Sequence, residues 1–321
     1  MAEAFLSRRI GERWLAVMEA DRLVEMRLSR DDDGAAAGSL YGARLKTRLG
    51  QRGIALLESG EEVLVEPWPA GFAEGVLVEI RISRQRWREP GRDRLAKAKG
   101  IGPAKCAGLL EAAPDFDPVS AIEAWPDEVA ESWDAGWQAA ELGRVVIPGG
   151  SLNFTPTPAF VAVDIDGTGA RLAVDAARAL AQTIRLWRIG GGIAVDFPVQ
   201  DRASRQAVAE AFDAAMGDTK FERTAVNGFG LLHVILPRTG PSILERARFE
   251  TTATAGLALL NRAVHEPRPG PLTLVARPKV VEWIRARPAL LATANRRAGR
   301  TLDLKADVMA GEGHVETSAQ S

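Results

Sequence analysis

Two short apolar runs that end in acids, Phe160-Val161-Ala162-Val163-Asp164-Ile165-Asp166 and Gly192-Ile193-Ala194-Val195-Asp196-Phe197, constrain this chain more than any other feature. Runs of this length, rich in Val and Ile and bounded by turn residues, read as strands. The segment between them, 170–189, has the length of a helix, carries apolar residues at Leu172, Ala176, Leu180 and Ile184, and closes on Gly190-Gly191-Gly192. Strand, helix, glycine turn and strand in that order bring the carboxylates of Asp164 and Asp196 to one edge of a sheet. Carboxylates gathered there suit a hard divalent cation. Mg²⁺ keeps several waters and takes one or two carboxylates together with substrate phosphate oxygens, so a phosphate ester is the expected substrate.

The rest of the composition narrows the classes. With 321 residues, 46% hydrophobic and 26% charged, the chain can bury a real core and is expected to hold two or three domains. A formal charge of −1 and a pI near 6.4 provide no global positive field for nucleic acid, so any polyanion site must be local. The single Cys106 excludes an intrachain disulfide framework and a multi-cysteine zinc site within one chain. There is no apolar stretch of membrane-spanning length, and Glu3, Arg8, Arg9 and Glu12 interrupt any secretory signal; a cytoplasmic protein is expected.

The first 30 residues alternate like a hairpin that turns near Ala20 and Asp21. Short strands are predicted at 40–49, 53–58, 62–66 and 75–83, punctuated by Gly50, Gly60 and the 67–71 loop. Four or five short strands in so few residues suit a small barrel of the OB type, a fold that often binds single-stranded nucleic acid. Its aromatic residues are few: Tyr41, Trp68 and Phe72. A basic stretch follows over 81–105, read either as a backbone-tracking surface or as a solvated linker or helix. Within it, residues 100–105 mimic the glycine hairpin of helix-hairpin-helix DNA-binding motifs. Trp125, Trp133 and Trp137, in the polar stretch 114–137, are spaced as core contacts of a helix.

From Arg144 onward strands and helices alternate, the signature of an α/β arrangement. Helices are predicted at 202–216, 253–264 and 280–286, and strands at 221–226, 230–236, 272–276 and 302–307, ahead of a polar tail. The last part reads as a small α/β domain of its own.

Several blocks in register resemble the ribonuclease E/G family. They are Gly149-Gly150-Ser151-Leu152, the Asp164 run, the stretch from Ile184 through Asp196-Phe197, Gly228-Phe229-Gly230-Leu231-Leu232, and Arg238-Thr239-Gly240-Pro241-Ser242. In weaker form the resemblance reaches Asp21–Glu25, the OB-like block and the C-terminal part. It implies an α/β (α+β) multidomain fold: an OB-type RNA-binding barrel (39–90) inserted in an RNase H-like scaffold (1–38 and a shortened 91–143), a DNase I-like catalytic subdomain (144–248), a small C-terminal domain (249–312) and a disordered tail (313–321). It also implies endonucleolytic cleavage of single-stranded RNA by metal-activated water, leaving a 5′-phosphate, in RNA processing or decay, with structured-RNA precursors such as rRNA or messenger RNA as substrates. Asp164 and Asp196 match the family's two Mg²⁺-holding aspartates. Asp166 stands where the family has an asparagine that contacts the scissile phosphate, so a third acid enters the catalytic set. Arg185, Arg188, Arg238, Tyr41 and Arg84 are candidate RNA contacts.

The departures from the family are as specific as the matches. The cysteines that share a zinc ion between family subunits should follow Ser242, and 243–251 holds none, so no zinc link is expected and a homodimer would be held without one. The 5′-end sensor region is reduced to about 55 residues, and Gly228 replaces one of its arginines; no discrimination of the RNA 5′ end is expected. His233, in an apolar strand, is read as a core residue, and His265 and His314 as loop or tail. Two other readings stand beside the endoribonuclease. One is a relative that binds RNA but turns over weakly or not at all. The other is an α/β phosphatase, because Val163-Asp164-Ile165-Asp166-Gly167 with Thr168 resembles the aspartate loop of haloacid dehalogenase-type enzymes; their downstream lysine and acidic pair are not evident in register.

Overall fold

The computed structural model describes residues 2–89, 91–113, 125–199, 201–311 and 313–317, a mixed α/β chain with seven helices among them. They fall into two units: Met1–Leu6, Leu15–Arg27 and Asp33–Phe249 form one, and Ser7–Trp14, Leu28–Asp32 and Glu250–Ser321 the other. The opening sheet, β1 (Ala2–Arg9), β2 (Glu12–Glu19) and β3 (Arg22–Arg30), contributes segments to both.

A closed five-stranded barrel of OB-like form follows. Its strands are β4 (Leu40–Leu49), β5 (Arg52–Leu56), β6 (Glu62–Val65) and β7 (Leu77–Arg84), and, after the small hairpin β8 (Trp87–Glu89) and β9 (Arg92–Arg94), β10 (Ala96–Pro103). The order is β4-β5-β6-β10-β7, and β7 returns to β4 to close the ring. Leu45, Ala55, Val63, Val65, Val78, Ile80, Ala96 and Ala98 fill the interior. β11 (Gly108–Glu111) pairs with β4. The turn just before β11 passes so close to β4 that a Cβ on Gly42 would collide with the Cys106 carbonyl oxygen.

The barrel therefore runs on through β10 and does not end at residue 90. β10 inserts between β6, to which it is parallel, and β7, to which it is antiparallel. The basic stretch is thus strand and hairpin and not a linker or helix. Gly100 and Gly102 sit in β10 where its register against β7 shifts, so they accommodate a bulge and not a helical hairpin.

Of the Trp-spaced stretch, 114–124 lies outside the described residues. Its remainder leads into α1 (Asp127–Leu142), where Trp133 is buried and meets Trp125 edge-on at 5.4 Å. The second sheet comprises β12 (Arg144–Ile147), β13 (Gly150–Pro156), β14 (Val161–Gly167), then α2 (Leu172–Leu186), β15 (Gly191–Asp196), α3 (Arg202–Met216), β16 (Glu222–Arg223) and β17 (Leu231–Leu236). Its order is β12-β13-β14-β15-β17-β16, with β14 and β15 the parallel pair joined through α2. Leu172, Ala176, Leu180 and Ile184 all lie on the buried stripe of α2. Asp201 caps α3, its carboxylate accepting the Ser204 N–H at 2.9 Å. α4 (Ile243–Phe249) ends this unit.

The C-terminal unit packs α5 (Thr251–Val264), β18 (Leu272–Ala276), α6 (Pro278–Arg285), α7 (Pro288–Ala298), β19 (Leu302–Ala306) and β20 (His314–Thr317). Leu257, Leu260, Leu274, Ile284 and Ile10 belong to its core. β20 pairs antiparallel with β18, so 314–317, expected as the start of a disordered tail, is strand; 318–321 lies outside the described residues. Buried Arg30 lies 3.4 Å from Glu12 and 2.5 Å from Glu250 and donates to the Thr254 hydroxyl at 2.8 Å.

Candidate active site on the open face of the second sheet

Strand alternation gives the second sheet two unlike faces. Leu152, Phe154, Val161, Val163, Ile165, Ile193, Val195, Leu232 and Val234 are buried on the helix-covered face. The residues between them point the other way, and the ladder registers put them in ranks. One rank across the sheet reads Arg144, Asn153, Asp164, Asp196 and Leu231. The next reads Thr155, Ala162, Ala194 and His233. Asp164, Asp166, Asp196, Leu231, His233 and Ile235 are all exposed, so this face is open.

Asp164 and Asp196 are thus direct neighbours on adjacent parallel strands, whose backbones lie about 4.8 Å apart. Among the described residues neither carboxylate has a hydrogen-bond or ion-pair partner. Asp166, one pleat further along β14, accepts from the Asn153 side-chain amide at 2.7 Å. No group of three or more His, Cys, Asp or Glu side chains among the described residues is gathered closely enough to hold a metal ion. The donors available to a cation are therefore two adjacent carboxylate side chains. Two hard oxygen donors with open solvent on one side fit Mg²⁺, which retains water on its remaining positions.

The loop before β17 is built to present one aromatic ring here. The Asn227 side-chain oxygen accepts both the Phe229 and the Leu231 N–H, at 2.9 and 3.0 Å. Gly230, at φ +84°, approaches the Phe197 carbonyl so closely that a Cβ would lie 2.2 Å from it. Phe229 between them is 87% exposed, and Leu231 just beyond it is the ladder partner of Asp196.

His233 is a correction. It is exposed on the open face, edge-on to Phe160 with ring centroids 5.9 Å apart, because β17 turns Leu232, Val234 and Leu236 inward and His233 outward. Apolar neighbours in sequence concealed that alternation. Arg185 lies 3.5 Å from Glu19, and Arg188 lies 3.1 Å from Glu25. Burial and the nearby Arg27 hold the Arg188 pKa below its ordinary value despite Glu25. Both sit at the end of α2 that leads into the start of β15, away from the Asp196 end. Tyr41 packs partly against the barrel core, and burial, helped by the Glu61 charge, raises its pKa. Trp68 is buried and donates to the Phe72 carbonyl, while Phe72, like Tyr41, is only partly buried against the barrel core. Arg84 and Arg238 meet at Trp87. A cleft of about 770 Å³ opens beside the start of α2, lined by Pro148, Thr168, Arg171, Arg178 and Gln182 among others; the aspartate pair does not line it.

Phe229, Asn153, Phe160 and Trp87 were not singled out from sequence. The flanking glycines of Asn227-Gly228-Phe229-Gly230 were the available sign that Phe229 occupies a tight turn.

No protein-family model matches the chain, and no curated protein matches it.

Proposed function

We propose that this chain is a Mg²⁺-dependent endoribonuclease of the ribonuclease E/G type, cutting single-stranded RNA to leave a 5′-phosphate on the downstream product. The observation that carries the reading is the in-register, unpartnered pair Asp164 and Asp196 at the C-terminal ends of two parallel strands. In this reading the second sheet with α2 and α3 is the DNase I-like catalytic subdomain, the opening sheet with α1 belongs to an RNase H-like scaffold, and the OB-like barrel is an RNA-binding module. Asp164 and Asp196 would hold the cation, which when bound lowers the pKa of a coordinated water and offsets charge on phosphate oxygens.

The chain's own groups do the rest. Phe229 offers a free ring for a base next to the aspartate pair, a contact that tolerates any base because each has a π-face. Phe160 and His233 continue an aromatic strip along the face. Asn153 holds Asp166 by its amide, so Asp166 takes the place of the family's asparagine as a hydrogen-bonded acid. Its negative charge beside a phosphate favours slow turnover. That single observation supports the second reading, a relative that binds RNA and cuts it weakly or not at all. A homodimer without a zinc link and a cytoplasmic site of action complete the proposal. No helix among the described residues is long and apolar enough to cross a membrane.

The test is cleavage of a 5′-labelled, A/U-rich single-stranded RNA by the wild-type protein with Mg²⁺, with EDTA, and by the Asp164→Asn/Asp196→Asn variant. Internal cuts that require both the metal and the aspartates are expected, at equal rates on 5′-monophosphate and 5′-triphosphate RNA. Retained RNA binding without cutting in the wild type would establish the silent relative instead. Cutting by the double variant at the wild-type rate would remove the aspartates from the mechanism.

A further inference from the structure

Three arginines from distant parts of one unit converge on a single indole. Arg84, the last residue of β7, places its guanidinium carbon 4.2 Å from the Trp87 ring centroid. Arg238, just after β17, places its own at 3.9 Å, and Arg94 of β9 lies at 6.0 Å. Such contacts hold cations in place by the ring quadrupole. The acids nearby do not balance the cluster. Glu89 is shared between Arg92 and Arg94, at 3.0 and 2.8 Å, and also accepts from the Trp87 indole N–H. Glu245 takes Arg238. Arg84 has no ion-pair partner among the described residues and donates only to the Leu95 carbonyl, at 3.3 Å.

Two further observations mark the cluster as incomplete. Among the described residues the Nε atoms of Arg84 and Arg238 are buried without a hydrogen-bond partner, a state that folded proteins ordinarily avoid. Burial, reinforced by repulsion from Arg238 and Arg94, lowers the Arg84 pKa despite the opposing charge of Glu89. Planar guanidinium groups, gathered in one place with donors to spare, can bind two oxygens of a tetrahedral phosphate at once. The Arg238 and Arg94 side chains keep 22% and 33% of their surface, so an anion can reach them.

The cluster is joined to the open face of the second sheet. Arg94 donates to the Pro158 carbonyl at 3.4 Å, two residues before Phe160. The Arg238 side chain lies 3.5 Å from the Cβ position of Gly191, where β15 begins, and Asp196 ends the same strand. Five strand residues span about 16 Å.

We propose that Arg84, Arg94 and Arg238, gathered around Trp87, form a phosphate anchor that grips the RNA backbone a few nucleotides from the Asp164–Asp196 pair. The inference rests on the endoribonuclease reading and specifies where that substrate is held.

The test is fluorescence anisotropy of a labelled single-stranded RNA in EDTA, across a salt titration, with wild type, Arg84→Met, Arg94→Gln and Asp164→Asn/Asp196→Asn. Arg84→Met is expected to weaken binding about tenfold, the scale of one charged hydrogen-bonded contact. It should also flatten the log–log salt dependence by about 0.7, the value of one phosphate on a single strand. Arg94→Gln, which keeps a side chain able to hydrogen-bond Glu89, should move both readouts the same way, while the aspartate variant keeps its affinity. Wild-type RNA binding and cleavage with unchanged affinity and slope in both arginine variants would overturn the anchor and leave the endoribonuclease standing. If the wild type binds no RNA, yet inorganic phosphate raises its melting temperature and not that of Arg84→Met, the cluster serves free phosphate; both the RNA anchor and the endoribonuclease reading then fall.

Discussion

The aspartate pair makes a prediction that needs no RNA and no turnover. Asp164 and Asp196 are exposed, lie side by side in register, and have no partner among the described residues. Two like charges so placed repel, so Asp164→Asn, Asp196→Asn and the double variant should melt, without metal, at or slightly above the wild-type temperature. A cation that binds only the folded pair stabilises it by RT ln(1 + [L]/Kd), about 2.7 kcal/mol at one hundred times Kd. For a unit of this size each kcal/mol moves the midpoint by about 2–4 °C, so saturating Mg²⁺ should raise the wild-type Tm by about 5–10 °C. The double variant should show almost none of that shift.

The assay is a calorimetric or circular-dichroism melt with MgCl₂ set against NaCl of equal ionic strength, because screening alone also relieves the repulsion. An equal Mg²⁺ shift in wild type and double variant would refute the assignment, since the ion would then be acting elsewhere. A metal-free Tm that falls by several degrees in the variants would refute it differently, by showing that these carboxylates hold the fold together.

Two further predictions follow from neighbouring geometry. In the endoribonuclease reading Asp166→Asn would remove a charge beside the substrate phosphate while keeping a side chain Asn153 can still hydrogen-bond, so RNA cleavage is expected to speed up; an unchanged or lower rate would mean that Asp166 itself serves the reaction. Arg30→Met in the C-terminal unit removes the guanidinium that pairs with both Glu12 and Glu250, whose side chains are 5% and 11% exposed, and should cost about 3–5 kcal/mol at neutral pH in urea denaturation. Burial already raises the Glu12 pKa against the opposing pull of Arg30 and Arg9, and removing Arg30 raises it further. A carboxylate whose folded pKa is raised adds stability as it protonates. The variant's deficit should therefore shrink from pH 7 toward pH 5, and an equal deficit at both would sink the electrostatic account.

What was legible in the sequence was what local pattern encodes. The spacing of Leu172, Ala176, Leu180 and Ile184 marked the buried stripe of α2, and the prediction of 202–216 coincides with α3. The Asp164 and Asp196 runs are strands, and their register makes the two residues neighbours. What stayed hidden is made by residues distant in sequence. The parallel insertion of β10 beside β6, which closes the barrel, leaves no local trace in 81–105. Nor does the meeting of Arg84, Arg94 and Arg238 at Trp87, which joins positions more than 140 residues apart. His233 was hidden for another reason: all the other residues of its strand, Leu231-Leu232-His233-Val234-Ile235-Leu236, are apolar, so only the alternation of burial shows which way it faces.

The two faces of the second sheet explain why its candidate site is separable from its fold. The helix-covered face carries the packing, with Leu152, Phe154, Val163, Val195 and Val234 buried. The open face instead carries Leu231 and Ile235, two-fifths or more exposed, beside unpaired carboxylates. Neither group is well served by water: exposed aliphatic and aromatic surface is unfavourable, and adjacent like charges repel. In the proposed reading one kind of ligand would relieve both, a single-stranded nucleic acid with its bases on the apolar strip and its backbone sharing a cation with the acids. Because the covered face does not depend on that relief, side chains on the open face can change without loss of folding. Asp166 stands exposed on that face, so exchanging it for the asparagine that the ribonuclease E/G reading expects there would alter the chemistry of the site and leave the packing beneath it untouched.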